Sequence, residues 1–222
     1  MFEKEKGPSD FLAYYIHRPI ENFIVQKLIN TRITPNQLTI ATNIVAYIVA
    51  ILYFSGYLFP GSILSFVVGL MDGLDGKLAR ARKQTTRLGK MEHAFDLLFE
   101  FSWLIALALF LYRESGESLS LLLCLFSILL ISFYRCCYDI FGRTMGISLD
   151  IYGDFEKVFR RIAGRRNLYN IHILLGVLFN MPLYALASIM IHAAITSIIY
   201  AWRAMKHLHK ADTMDSHLKK SI

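Results

Sequence analysis

The stretch that decides this chain runs Asp72-Gly-Leu-Asp75-Gly76-Lys77-Leu-Ala79-Arg80-Ala-Arg82-Lys83-Gln-Thr-Thr-Arg87-Leu88-Gly89-Lys90-Met-Glu92-His93-Ala-Phe-Asp96-Leu97-Leu-Phe-Glu100. It interrupts two long apolar segments with acids and then bases. On a helix, Asp72, Asp75, Gly76 and Ala79 fall at i, i+3, i+4 and i+7, so two carboxylates and two small residues share one face. On the next helix, Gly89, Glu92, His93, Asp96 and Glu100 form a second stripe with the same periodicity. The short connection makes the helices neighbours, and charges at a membrane edge cost several kcal/mol each unless something offsets them. Clustered acids repel, so a divalent cation is the simplest partner, and hard oxygen ligands suit Mg2+ or Mn2+ bridged to substrate phosphates. The small residues Gly76 and Ala79 leave room for a ligand near the backbone. An inert network of these acids with Arg80, Arg82, Arg87 or Lys90 is the alternative.

Outward from this segment the chain reads as membrane protein. Its 222 residues are 55% hydrophobic and 14% aromatic, too apolar for a soluble domain of this size. A spanning helix takes about 20 residues, so roughly six fit, with no room for a separate soluble domain. Apolar runs start near Pro35, after the Pro60-Gly61 turn, and near Leu88, Leu119, Tyr169 and Leu183. The fifth run, to Met181, is the shortest. Thr34 followed by Pro35 reads as an N-cap and first-turn proline. Residues 9–30 mix aromatics and aliphatics with charges, as an interfacial helix does. The first 36 residues have no charged start, short apolar run and cleavage site, so no removable signal peptide is expected. Gly69 and Gly73 form a G-x-x-x-G pattern that predicts close helix packing.

The distribution of Lys and Arg supports this division. Five precede the first span, six lie from Lys77 to Lys90, seven from Arg135 to Arg166 and five from Arg203 to Lys220, whereas Arg113 stands alone on the other side. The positive-inside bias then places both termini and the acidic segment in the cytoplasm. The formal charge of +7 is thereby spent on membrane topology and anionic lipid, and no nucleic-acid partner is expected. Three cysteines without metal spacing imply neither disulfide framework nor zinc site. The expected architecture is all-α and polytopic. Residues 1–36 form an amino-terminal interfacial segment, 37–206 six transmembrane helices and 207–222 a polar cytoplasmic tail.

These features resemble the CDP-alcohol phosphotransferase family, whose signature is D-x2-D-G-x2-A-R-x8-G-x3-D-x3-D. Asp72, Asp75, Gly76, Ala79, Arg80 and Gly89 match it at the expected spacing, and Pro35-Asn36-x-Leu38-Thr39 extends the likeness to the first span. The final acids depart: strict register from Gly89 puts His93 and Leu97 where the family has aspartates, while an interhelical loop shorter by one residue aligns Glu92 and Asp96. The shorter loop is preferred, because loops absorb deletions more readily than a buried helix face loses carboxylates. The resemblance implies metal-dependent transfer of a phosphoalcohol group from a CDP-linked lipid donor to an acceptor hydroxyl, with release of CMP, and a homodimer. By the same resemblance Asp72 and Asp75 are metal ligands, Asp96 is ligand or general base, and Glu92 or His93 is the remaining ligand. Asp72, Gly76, Ala79 and Arg80 would line the nucleotide site. Arg160, Arg161, Arg165 and Arg166 form a basic segment suited to a phosphorylated polyol, although such arginines also simply obey the positive-inside bias. Asp139, Asp150, Asp154 and Glu156 nearby would equally suit a cationic or polyol acceptor. A catalytically altered relative serving as a partner subunit, or a small cation transporter, are the competing functions. His172 and His192 read as isolated and give the transporter no polar path.

Overall fold

The computed structural model describes residues 10–84 and 91–220, with backbone alone at 92 and 215–220. Among the described residues all regular structure is helical. A π turn, Ala13–His17, leads into α1, Arg18–Leu28; Pro19 sits in the first turn of α1 and has no N–H to continue regular α bonding backwards. The following helices are α2, Pro35–Phe54; α3, Leu58–Ala81; α4, Glu92–Ser115; and α5, Leu119–Met145. Two short turns, α6 (Leu149–Tyr152) and α7 (Asp154–Phe159), precede α8, Arg166–Leu178, and α9, Pro182–Lys220.

The start of α2 follows from its sequence. Thr34 Oγ1 accepts from Gln37 N at 3.2 Å while Gln37 Oε1 accepts from Thr34 N at 2.9 Å, a reciprocal capping box ahead of Pro35. The turn into α3 is not at Pro60-Gly61. Both residues lie inside the first turns of α3, where proline costs nothing, and Gly56 turns the chain with φ +85°. A Cβ on Gly56 would also lie 2.6 Å from the Phe110 ring.

Among the described residues five helices are long and apolar enough to cross a membrane: α2, α3, α4 from His93, α5, and α9 through Met214. The expected fifth span is α8, whose 13 residues cover roughly 20 Å, short of a hydrocarbon core of about 30 Å. The tail expected from His207 does not break from the last span; α9 continues through it to Lys220.

Packing centres on α2, α3, α4, α5 and α9. The Trp103 indole on α4 is buried and donates to Ala46 O on α2 at 2.7 Å, and Phe99 lies against it at 5.3 Å between centroids. Ile40, Ile44, Ile48 and Ile51 of α2 face outward, as suits a helix surrounded by lipid. The amino-terminal helix shows an unusual division. Phe11, Tyr14, Tyr15, Ile16, Ile20 and Phe23 are exposed, while His17, Glu21 and Val25 are buried toward α3. The expected close approach at G-x-x-x-G is made by this helix: a Cβ on Gly73 would collide with the Glu21 carboxylate, and one on Gly69 with His17 and Asn167. Lys77 closes the seam by donating to Asn22 Oδ1 at 2.6 Å and pairing with Glu21 at 2.9 Å. Arg82 then caps the end of α1, donating to the carbonyls of Leu28, Ile29, Thr31 and Ile33. A guanidinium there satisfies orphan carbonyls and complements the helix dipole.

Candidate active site at the ends of α3 and α4

The acids of α3 are held by neighbours distant in sequence. Asp75 is 3% exposed; its Oδ2 accepts from Thr39 Oγ1 on α2 at 2.5 Å and its Oδ1 from Gly76 N at 2.5 Å. Both carboxylate oxygens are therefore oriented by fixed donors. Next to it, Gly76 keeps the helix surface low, because a Cβ there would meet only the guanidinium of Arg80, at 3.3 Å. Asp72, one turn earlier, accepts from Arg166 Nη2 at 2.6 Å.

On α4, Asp96 is mostly buried and turned toward the same guanidinium, with Oδ1 3.9 Å from Arg166 Nη1. One acid from each helix thus meets on a single cation contributed by α8. The Arg166 guanidinium also lies 4.8 Å from the Phe99 ring centroid, and its buried Nε has no hydrogen-bond partner among the described residues. His93 is 72% exposed, its Nδ1 3.8 Å from Asp96 Oδ2. The Glu92 side chain and Gly89, Arg87 and Lys90 lie outside the described residues. Glu100, the last acid of the stripe, is buried and salt-bridged to Arg135 of α5.

The four arginines considered for the acceptor do not form one cluster. Arg160 pairs with buried Asp150 at 3.1 Å and lies over Tyr138. Arg161 is exposed, and its carbonyl accepts from Phe11 N at 3.1 Å. Arg165 is the extended N-cap residue of α8, which sends Arg166 inward to the acids. The nearby carboxylates are also engaged: Asp154 with Lys157, and Glu156 with both Arg203 and His207. Burial alone would raise the Glu156 carboxyl, but hydrogen bonds from Arg203 and His207 outweigh it and hold the group below the usual carboxylate range.

Four residues have contacts that differ from the sequence-based expectation. Thr39 belonged to a quoted motif but had no role until it met Asp75, 36 residues away. Arg166 was read as an acceptor ligand, whereas it bridges acids up to 94 residues away. His172 and His192 are not isolated; His172 Nε2 and His192 Nδ1 are 3.0 Å apart, with Ser188 Oγ on the other His172 nitrogen and Ile162 O on the other His192 nitrogen.

As the described side chains stand, no three acids, histidines or cysteines converge closely enough to hold a metal ion. Asp72, Asp75 and Asp96 nonetheless offer hard oxygen donors, and two of them already share one cation. That donor chemistry fits Mg2+ or Mn2+.

Known proteins agree with this architecture. A family model, CDP-alcohol phosphatidyltransferase, matches residues 32–202. The bifunctional IPC transferase and DIPP synthase of Aquifex aeolicus is 37% identical over 109 residues, 48% of this chain and 25% of that protein. The protein of the same name from Archaeoglobus fulgidus is 28% identical over 165 residues, 73% of this chain and 31% of its own length. The chain spans only a quarter to a third of these relatives. Among solved structures, the phosphatidylinositol phosphate synthase of Mycobacterium tuberculosis with CDP-DAG bound superposes with TM-score 0.66 at 17% identity, over 84% of this chain and 94% of the other. The same enzyme in complex with manganese and citrate gives 0.65 at 18% identity, over 83% and 88%. A match across the signature helices and most of the remaining chain leaves one assignment: the protein is an integral membrane member of the CDP-alcohol phosphatidyltransferase family.

Proposed function

We propose that this chain transfers a phosphatidyl-type group from a CDP-linked lipid to an acceptor hydroxyl, releasing CMP, in phospholipid synthesis. The observation that carries the proposal is the meeting of Asp72 and Asp96, from the two signature helices, on one cation beside a preorganised Asp75. The structurally similar Mycobacterium tuberculosis enzyme, solved once with CDP-DAG and once with manganese and citrate, supports the donor class and the cofactor class.

Asp72, Asp75 and Asp96, with Glu92 or His93, would hold Mg2+ or Mn2+. Bound there, the ion would supply charge neutralisation for the diphosphate and for the departing CMP. Gly76 and Ala79 leave the cytidine diphosphate a path to the α3 backbone, and Arg80 is placed one turn on to contact phosphate. Asp96 takes the proton of the attacking hydroxyl as oxygen bonds to the lipid-side phosphorus and the bond to CMP breaks. Thr39 fixes the Asp75 carboxylate throughout. Arg161 and Arg165 remain candidates for a phosphorylated polyol acceptor, Arg160 being paired with Asp150. In the membrane, α8 would serve as a short sixth crossing, with both termini and the site cytoplasmic and lipid around a homodimer.

The test is a substrate matrix in liposomes: CDP-linked diacylglycerol or ether lipid against inositol phosphate, glycerol phosphate, free polyols and amino alcohols. Stoichiometric CMP and new lipid with one acceptor would establish the transferase and name its substrate. A folded protein that binds metal but turns over no combination would point to the partner-subunit alternative.

A further inference from the structure

We propose that Arg166 is the resident counter-cation of the carboxylate site, and that divalent metal binds by exchanging with it. The inference rests on the metal-dependent reading above. The guanidinium occupies the gap between the two helices, with Nη2 2.6 Å from Asp72 Oδ2 and Nη1 3.9 Å from Asp96 Oδ1. A divalent ion held by those carboxylates would claim the same oxygen lone pairs. Two cations in that space would repel across a buried, weakly screened distance.

Three further features bear on the exchange. Arg166 is the first residue of α8, where the helix dipole disfavours a cation, so the acids and not the helix hold it. Its buried Nε has no hydrogen-bond partner among the described residues, which leave the donor fork incompletely used. The backbone just before it is pinned, since Gly164 N donates to Thr196 Oγ1 at 2.8 Å and Tyr134 Oη donates to Gly164 O at 2.8 Å. Exchange therefore needs rotation of one side chain and leaves α8 in place. Without metal, Arg166 ties α8 to α3 and α4 and neutralises the acids; with metal, it is released toward the anionic substrate.

Competition is reciprocal, so removing Arg166 must tighten metal binding even as it loosens the metal-free protein. Mn2+ binding to the purified full chain in detergent, followed by electron paramagnetic resonance and by thermal shift, reads this directly. Arg166→Gln is expected to melt lower than wild type without metal and to bind Mn2+ about tenfold more tightly. Lys157→Gln, which removes an exposed charge, is expected to bind Mn2+ like wild type. Equal or weaker Mn2+ binding by folded Arg166→Gln overturns the proposal. If that variant does not fold, Arg166→Met, which keeps an apolar stem but removes the charge, takes its place; it must bind Mn2+ more tightly than wild type or the proposal fails. Equal Mn2+ binding with chelator-sensitive CMP release sinks the exchange alone, whereas no Mn2+ binding and no CMP release by wild type sinks the functional reading with it.

Discussion

Two gatherings of buried charge in this molecule are built on different arithmetic. Around α6 and α7, Asp150 pairs with Arg160, and Glu156 takes hydrogen bonds from Arg203 and His207, with the Arg203 guanidinium 4.7 Å from the Phe155 ring centroid. At the ends of α3 and α4, two acids from different helices divide one guanidinium, and a third acid is set by a hydroxyl and a backbone N–H. The first arrangement matches each acid with its own cation and welds short turns to α9. In the second, carboxylates from two helices meet on the Arg166 guanidinium, with His93 Nδ1 also 3.8 Å from Asp96, and together they offer hard oxygen donors to a divalent cation.

Substitutions separate the two kinds of cluster. Asp75→Asn is expected to lower metal-dependent CMP release on the order of 100- to 1,000-fold while leaving the melting temperature within a few degrees, because it removes a ligand charge from an intact hydrogen-bonded seat. Retention of substantial activity would erase the distinction. Thr39→Val should cost about 10- to 100-fold in activity or metal affinity, with Thr39→Ser restoring most of it, since the hydroxyl orients a ligand without being one. Glu156→Gln acts in the opposite column: it leaves Arg203 without its carboxylate and should cost roughly 3 kcal/mol of stability, with CMP release per folded molecule unchanged. Its pH dependence has a definite sign. The folded carboxyl titrates below its ordinary value, so its stabilisation is present above that value and disappears as pH falls through the folded one. Melting of wild type should therefore fall more steeply on acidification below about pH 4.5 than that of Glu156→Gln. The smallest effect is expected at Gly73→Ala, on the order of 1 kcal/mol, as Glu21 shifts aside and α1 loosens on α3.

What could be read from sequence was what helical periodicity carries. Asp72, Asp75 and Gly76 on one face, the neighbouring Asp96, and the capping of α2 by Thr34 all follow from spacing within one element. Gly69 and Gly73 signalled a close approach, yet nothing local said that polar His17 and Glu21 would make it. Contacts across many residues stayed hidden: Thr39 on Asp75, Arg166 between two helices, His172 against His192. The basic segment around Arg160 to Arg166 read as one patch because composition carries no direction; the bend before α8 points Arg166 inward and leaves Arg161 outside. The short fifth run was visible, but five of the expected six helices reach spanning length because α8 stops at Leu178 and the chain reverses at Asn180, φ +54°. The Pro60-Gly61 turn failed for a simpler reason, that proline suits the first turn of a helix as well as the loop before it.

The most direct measurement is CMP release by wild-type protein in liposomes containing a CDP-linked lipid and its acceptor, titrated with Mn2+ or Mg2+ and then with chelator. Release that rises with either metal, stops with chelator and returns on adding metal back is the expected result. Turnover indifferent to chelator in protein stripped of metal would contradict the assignment of Asp72, Asp75 and Asp96 to a divalent ion.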